Sequence, residues 1–307
     1  MADAAALVER VLRRVVGRKR EVELVVAALA ADRHVMLEGP PGTGKSTLLR
    51  AVADELGLGF EFVEGNAELT PARLVGHFDP ARVLADGYDP DVFVDGPLVT
   101  AMRDGSLLYI EEINRIPEET LNVLITVMSE RELHVPRLGR VVAEPGFRLV
   151  AAMNPFDAIG TARISSAIYD RVCRVCLEYQ SAADEEEIVA NLVSPAPDPV
   201  WLTKVVEVVR LTRTHPEVRI GSSVRGAIDI AAVAASLAPL RASSPTAFAV
   251  GLDSAIIALS GRMRLREGLT RTPESLVTEL WYEVFDDRGA DPSGKAIAPP
   301  GATDRAS

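Results

Sequence analysis

The run GPPGTGKS, Gly39 to Ser46, sets glycines, a lysine and a hydroxyl in the spacing G-x-x-x-x-G-K-[ST]. Glycines let backbone N–H groups turn inward around phosphate oxygens, and a helix starting at the lysine aims its positive end at the same spot. Gly39, Pro40, Pro41, Gly42, Thr43, Gly44, Lys45, Ser46 and Thr47 are therefore candidate nucleotide-binding residues. Lys45 would reach the β and γ phosphates, and the Ser46 hydroxyl would ligate Mg²⁺. A second run, LLYIEE from Leu107 to Glu112, ends an apolar stretch in two carboxylates. A hydrolytic phosphate site needs one carboxylate beside the metal and another to polarise the attacking water. Glu111 suits the first role and Glu112 the second, although glutamate at 111 is one methylene longer than the usual aspartate.

Three further residues could complete such a site. Asn154, in MNP, would put an amide where it can hold the water, though an Asn-Pro after a strand is also an ordinary turn. Arg171, in YDR, could reach a neighbouring subunit's nucleotide and stabilise transition-state charge. Arg225, in GSSVRG, could contact the γ-phosphate. Taken alone, either arginine is an ordinary surface residue. Other candidates are weak. Cys173 and Cys176 have no second pair and no nearby histidine to complete a metal site, so they read as part of a buried strand. The four histidines are scattered without metal-ligand spacing. Tyr88 and Phe93 could grip a client, but packing of their own loop is the simpler expectation.

These residues need a frame that gathers them. Short apolar runs at 34–39, 60–65, 106–112, 147–153 and 171–179 read as strands, and 19–32, 45–57 and 117–131 as helices. Alternation of this kind implies a parallel sheet with helices on both faces. Residues 1–180 thus form an α/β nucleotide-binding subdomain. It carries an insertion at 66–105, too long for a plain connection, and a hairpin at 132–146. Residues 181–285 read as a helical lid, with helices at 184–193, 199–213, 223–237, 246–260 and 273–286 and no strands. The Pro/Gly/Ser-rich segment 286–307 reads as a disordered tail.

Composition narrows the class. The chain has 307 residues, 48% apolar and 25% charged, which is the balance of a folded globular protein. No apolar run is long enough for a membrane span, and charges interrupt the first 21 residues, so a cytoplasmic protein without membrane contact is expected. The net charge of −11 disfavours nucleic acid as a partner. Residues 201–270 nevertheless carry nine Lys or Arg against five acids, a basic end that could meet another subunit's acidic face.

The set GPPGTGKS, EEINR (Glu111 to Arg115), AAMNP, SAIYDR and GSSVR, in this order, resembles the AAA+ ATPases and, more narrowly, the MoxR family. The likeness extends over roughly residues 12–285, with the EINR run, the Asn-Pro and the Gly96–Leu98 GPL as its discriminating details. It implies a P-loop α/β fold with a five-stranded parallel sheet flanked by helices, followed by the lid. It also implies hydrolysis of ATP to ADP and phosphate with Mg²⁺. Lys45 and Ser46 become Walker A, Glu111 and Glu112 Walker B, Asn154 sensor 1, Arg171 the arginine finger and Arg225 sensor 2. Val16 and Gly17 match the segment beside the adenine, and Arg115 matches a family arginine. The resemblance implies a homo-oligomer, most often a hexameric ring. It would remodel or mature client proteins, metalloproteins among them, beside a separate von Willebrand factor A-domain partner. An ATPase subunit of a metal chelatase and a nucleic-acid-associated NTPase motor share parts of the pattern.

Overall fold

The structure is a computed structural model, and it describes residues 2–155 and 164–285. The expected tail at 286–307 lies outside the described residues. The chain divides into two compact units, Met1–Asp184 and Glu185–Ser307.

The first unit is built on five parallel strands: β1 (His34–Glu38), β2 (Phe60–Glu64), β3 (Leu107–Glu111), β4 (Arg148–Met153) and β5 (Val172–Cys176). Their order across the sheet is β2-β3-β4-β1-β5. Successive side chains of a strand face opposite ways, and the two cores show it. Val35 and Leu37 of β1, Leu107 and Tyr109 of β3, and Val150 and Ala152 of β4 pack on one face. Met36, Leu108, Ile110, Leu149 and Ala151 pack on the other. Burial on both faces is why these strands read as apolar runs rather than alternating ones.

The first face is covered by α1 (Ala2–Leu12), α2 (Lys19–Ala30) and α3 (Lys45–Leu56), through Val11, Val22, Val25, Leu48, Leu49 and Val52. The second is covered by α4 (Pro97–Asp104) and α5 (Glu118–Glu130), through Leu98, Met102, Leu121 and Leu124. The sequence reading has no counterpart of α1. Within 66–105, the segments Gly76–Phe78 and Phe93–Asp95 pair antiparallel. Phe78 meets Phe93 and Tyr88 edge-on at 5.1 and 5.2 Å, and Arg137 lies 3.7 Å above the Tyr88 ring. Arg137 sits between the paired strands Glu132–Val135 and Gly139–Val142, so the hairpin and the insertion brace one another through this aromatic group. Tyr88 and Phe93 therefore pack their own loop.

One expectation about β5 fails. This strand is the edge of the sheet, and Cys173 and Cys176 are both exposed and free rather than buried. An edge strand has a neighbour on one side only, so the covering layer ends there.

The second unit is helical: α6 (Ala182–Leu192), α7 (Pro199–Thr214), α8 (Val224–Leu240), α9 (Phe248–Leu259) and α10 (Pro273–Phe285), the first turn of α6 carrying the division between units. Trp201, Val205, Val209, Ile230, Leu259 and Trp281 form its core. A Cβ at Gly251 would lie 2.4 Å from the Trp281 ring, so glycine is what lets α9 approach α10 this closely. The sequence reading placed no strands here. The structure adds a short antiparallel pair, Val218–Ile220 with Arg264–Leu265, too brief to show a period of two.

Candidate functional site

In an open parallel sheet, ligands bind beyond the carboxyl ends of the strands. The strand order decides what meets there. Because β4 lies between β1 and β3, the turn carrying Asn154 follows a strand flanked by those leading to the phosphate loop and the acidic pair. The Gly39 amide donates to the Met153 carbonyl at 3.2 Å, which ties the start of the loop to the end of β4.

The loop itself is closely built. Gly42 and Gly44 have φ of +75° and +82°, the left-handed region that glycine adopts without strain. A Cβ at Gly39 would meet the Leu177 carbonyl at 2.3 Å. Thr43 is fully buried and its hydroxyl donates to the Pro40 carbonyl at 2.9 Å. The Lys45 ammonium donates to the carbonyls of Gly39 and Pro40, both at 2.9 Å, holding the cation inside the loop at the N-terminus of α3. Ser46 and Thr47 also line a cavity of about 350 Å³ with Arg14, Arg50 and Ala51.

Ser46 and Glu111, 65 residues apart, meet: the Ser46 hydroxyl donates to Glu111 Oε1 at 3.1 Å. Among the described residues no group of three His, Cys, Asp or Glu could hold a metal by itself. Two hard oxygens beside a phosphate loop fit Mg²⁺, which takes few protein ligands and completes its shell with phosphate and water. The sequence reading missed Tyr109. It is fully buried on the same face of β3 as Glu111, with its hydroxyl 3.2 Å from Ser46 Oγ, and burial raises its pKa. Its spacing of two residues from Glu111 was the available signal.

Glu112 has φ of +53°, rare for a residue with a side chain, and its carboxylate pairs with Arg115 at 3.2 Å. A Cβ at Gly65 would lie 2.4 Å from the Glu112 carbonyl, and the Gly65 amide donates to the Glu111 carbonyl at 2.7 Å. The end of β2 thus clamps the turn that aims Glu112. Backbone held in a sparse region clusters at functional sites.

Two more groups escaped the sequence reading. Glu38, the last residue of β1, is 3% exposed. It accepts from the Tyr169 hydroxyl at 2.8 Å and from Arg174 Nε at 2.5 Å. Burial, and then the hydrogen bond to Glu38, push the Tyr169 phenol up to about 12. Arg18 is buried and donates to the carbonyls of Thr43 at 3.0 Å and Glu178 at 2.6 Å. It pins the Val16–Gly17 segment to the phosphate loop and to the chain beyond β5. Gly17 has φ of +66°, and a Cβ there would lie 2.4 Å from the Asp184 carboxyl carbon. A carboxylate ending an apolar strand was the only hint of Glu38, and Arg18 gave none.

The structure does not bring Arg171 to the Ser46–Glu111 pair by any hydrogen bond or ion pair among the described residues. Its Nε donates to Ser129 Oγ at 2.5 Å and its Nη1 to the Ala167 carbonyl at 2.8 Å. In the second unit Arg225 is exposed at the second residue of α8. The loop before it is fixed by α7: the Ser222 amide donates to Thr212 Oγ1 at 2.9 Å, and Arg213 Nε donates to the Ser222 carbonyl at 2.7 Å. Arg213 in turn pairs at 2.7 Å with Glu185, which is 1% exposed.

A parallel sheet, a glycine loop opening a helix at its lysine and a hydroxyl–carboxylate pair define a P-loop nucleotide hydrolase. Comparison with known proteins agrees. Residues 34–172 match the AAA domain of the dynein-related subfamily. A Staphylococcus epidermidis protein without assigned function is 30% identical over 192 residues, covering 58% of this chain and 72% of the relative. A Staphylococcus aureus protein, likewise uncharacterised, is 34% identical over 150 residues, 48% of this chain and 56% of its own. Among solved structures, a candidate ATPase of Cytophaga hutchinsonii superposes with TM-score 0.53 at 18% identity, covering 92% of this chain and 94% of that one. The RuvB Holliday junction branch migration motor of Thermotoga maritima gives TM-score 0.53 at 19% identity, covering 79% and 70%. At such identities the structural likeness establishes the fold. The chain carries an AAA domain over residues 34–172, and its reaction is the hydrolysis of ATP. No helix among the described residues is long and apolar enough to cross a membrane.

Proposed function

We propose that this chain is a MoxR-like AAA+ ATPase that works as a hexameric ring and remodels or matures client proteins. Residues 1–180 would serve as its nucleotide-binding subdomain and 181–285 as its helical lid. The observation that carries the reading is the Ser46–Glu111 hydrogen bond of 3.1 Å at the head of the helix that begins with Lys45. Supporting it are the EINR, Asn-Pro, YDR and GSSVR runs, in the order in which the MoxR family has them.

In this reading the loop amides from Gly39 to Thr47 cradle the phosphates, and Val16 and Gly17 lie beside the adenine. Lys45 leaves the carbonyls of Gly39 and Pro40 for the β and γ phosphates. Ser46 and Glu111 would hold Mg²⁺, which supplies charge neutralisation on the phosphates when bound. Glu112 accepts a proton from the attacking water as Asn154 positions it. Glu112 exchanges its pair with Arg115 for this role. Arg225 contacts the γ-phosphate. Arg171 exchanges Ser129 and the Ala167 carbonyl for the nucleotide of the adjacent subunit, where a guanidinium stabilises transition-state charge. The client would be a protein, reached with a separate von Willebrand factor A-domain partner.

The test is ATPase activity per subunit across a hundredfold range of protein concentration. Activity per subunit should rise with concentration, because each site is completed by a neighbour's Arg171. Arg171→Ala should flatten the curve at a low level and leave nucleotide affinity intact. A flat, substantial activity in the unaltered protein would remove the arginine in trans from the mechanism.

A further inference from the structure

We propose that Tyr109 is a positioning residue for the cation that accompanies the nucleotide, acting by fixing the orientation of the Ser46 hydroxyl. The inference rests on the reading of Ser46 and Glu111 as the cation's protein contacts. A serine hydroxyl has one hydrogen and two lone pairs. Ser46 gives its hydrogen to Glu111 Oε1 at 3.1 Å. The Tyr109 hydroxyl, 3.2 Å away, then donates into one lone pair and leaves the other for a metal. Tyr109 is fully buried, and Ser46 is the only hydrogen-bond partner its hydroxyl has among the described residues. Turning Ser46 to another staggered rotamer would orphan a buried phenol, so the two hydroxyls lock one another.

The ring has little freedom to follow a moving serine. Phe60 and Phe62 of β2 flank it with centroids at 5.7 Å each, and Arg50 lies over the same two rings at 4.9 and 5.6 Å. Glu111 gives the arrangement its purpose. A glutamate has one more rotatable bond than the aspartate usual there, so an unsupported Ser46–Glu111 pair would wander more. The phenol restores a single geometry by holding the serine hydroxyl as well.

The experiment separates metal from nucleotide. Binding of a fluorescent ADP analogue is measured in EDTA and then across a Mg²⁺ titration, for the wild type, Tyr109→Phe and Ser46→Ala. In EDTA, Tyr109→Phe should bind within about twofold of wild type, because the loop still holds the phosphates. Its Mg²⁺ midpoint should rise roughly tenfold, the weight of about one hydrogen bond. Ser46→Ala should lose the Mg²⁺-linked gain in affinity. An unmoved Mg²⁺ midpoint in Tyr109→Phe, or an equal loss of affinity in EDTA, would overturn the role assigned to Tyr109. A Ser46→Ala protein that keeps the full Mg²⁺ response would overturn the metal reading beneath it. Should Tyr109→Phe not fold, the tyrosine ultraviolet difference signal on adding Mg²⁺ to the ADP complex decides. It should be present in wild type and absent in Ser46→Ala, and its absence from wild type would sink the proposal.

Discussion

The two ends of the one parallel sheet are built from similar materials and do opposite things. At the amino ends, His34 is 7% exposed and its Nδ1 accepts from the Leu149 amide at 2.9 Å. Burial, then the charge of Arg131, bring its pKa down to about 4, so it is neutral at pH 7. Beside it Asp32 pairs with Arg148 and, at 3.4 Å, with Arg131. Asp32 and Arg131 both have left-handed backbone, with φ of +64° and +54°. A cavity of about 450 Å³, lined by Leu7, Val26, Leu58 and Arg148 among others, opens at this end. Perturbed titration, backbone strain and the larger cavity all mark it. At the carboxyl ends Lys45 and Glu112 are held by carbonyls and an arginine that a ligand can replace. At the amino end the charges have settled on one another, and the histidine on a backbone amide that it cannot leave cheaply. The difference teaches that exchangeable partners, more than buried charge, separate the proposed site from a structural cluster.

Glu112→Gln should break that comparison most sharply. It keeps shape and removes the proposed base, so kcat should fall about a thousandfold, or about 4 kcal/mol in barrier, with nucleotide affinity unchanged. Single-turnover hydrolysis beside equilibrium binding would check it, and near wild-type turnover would refute the assignment of the base. Lys45→Ala should lower affinity for ATP by a similar order, read by calorimetric titration, because no other loop group carries a charge to the phosphates.

The amino end should answer in stability instead. With His34 at about 4 in the folded chain and 6.5 unfolded, the unfolded state binds more protons between those values. Stability from this group is complete above the unfolded value and is lost as pH falls toward 4, by no more than about 3 kcal/mol. Denaturant unfolding of wild type and His34→Gln should diverge at pH 7 and converge at low pH, with activity per folded molecule unchanged at pH 7. Parallel pH curves would remove His34 from the account. The smallest effect belongs to Asp32→Asn, which should cost about 1 kcal/mol by leaving the largely buried Arg148 without its carboxylate. Its ATP affinity should match wild type, and a shift there would mean that the two ends are coupled.

Much of the frame was legible in advance because its rules are local. Strands buried on both faces stay apolar from end to end, and β1 to β5 fall inside the five runs read from the sequence. The glycine loop was equally plain, since the spacing of Gly39, Gly44, Lys45 and Ser46 is itself the backbone chemistry. The hairpin strands at Glu132–Val135 and Gly139–Val142 and the long helices of the second unit followed from turn residues and periodicity. The two-residue strand Arg264–Leu265 and the exposed cysteines of β5 did not, because pairing and edge position are properties of the assembled sheet.

The sequence alone determined which residues stand at the ends of strands, since periodicity and a short glycine spacing act over a few neighbouring positions. Only the tertiary structure decided who meets whom there. The order β2-β3-β4-β1-β5 brings Ser46 to Glu111 and Tyr109, and lays Glu38 against Tyr169 and Arg174. Those partners lie 63 to 136 residues apart in the chain, and no local pattern records a contact that exists only once parallel strands have chosen their neighbours.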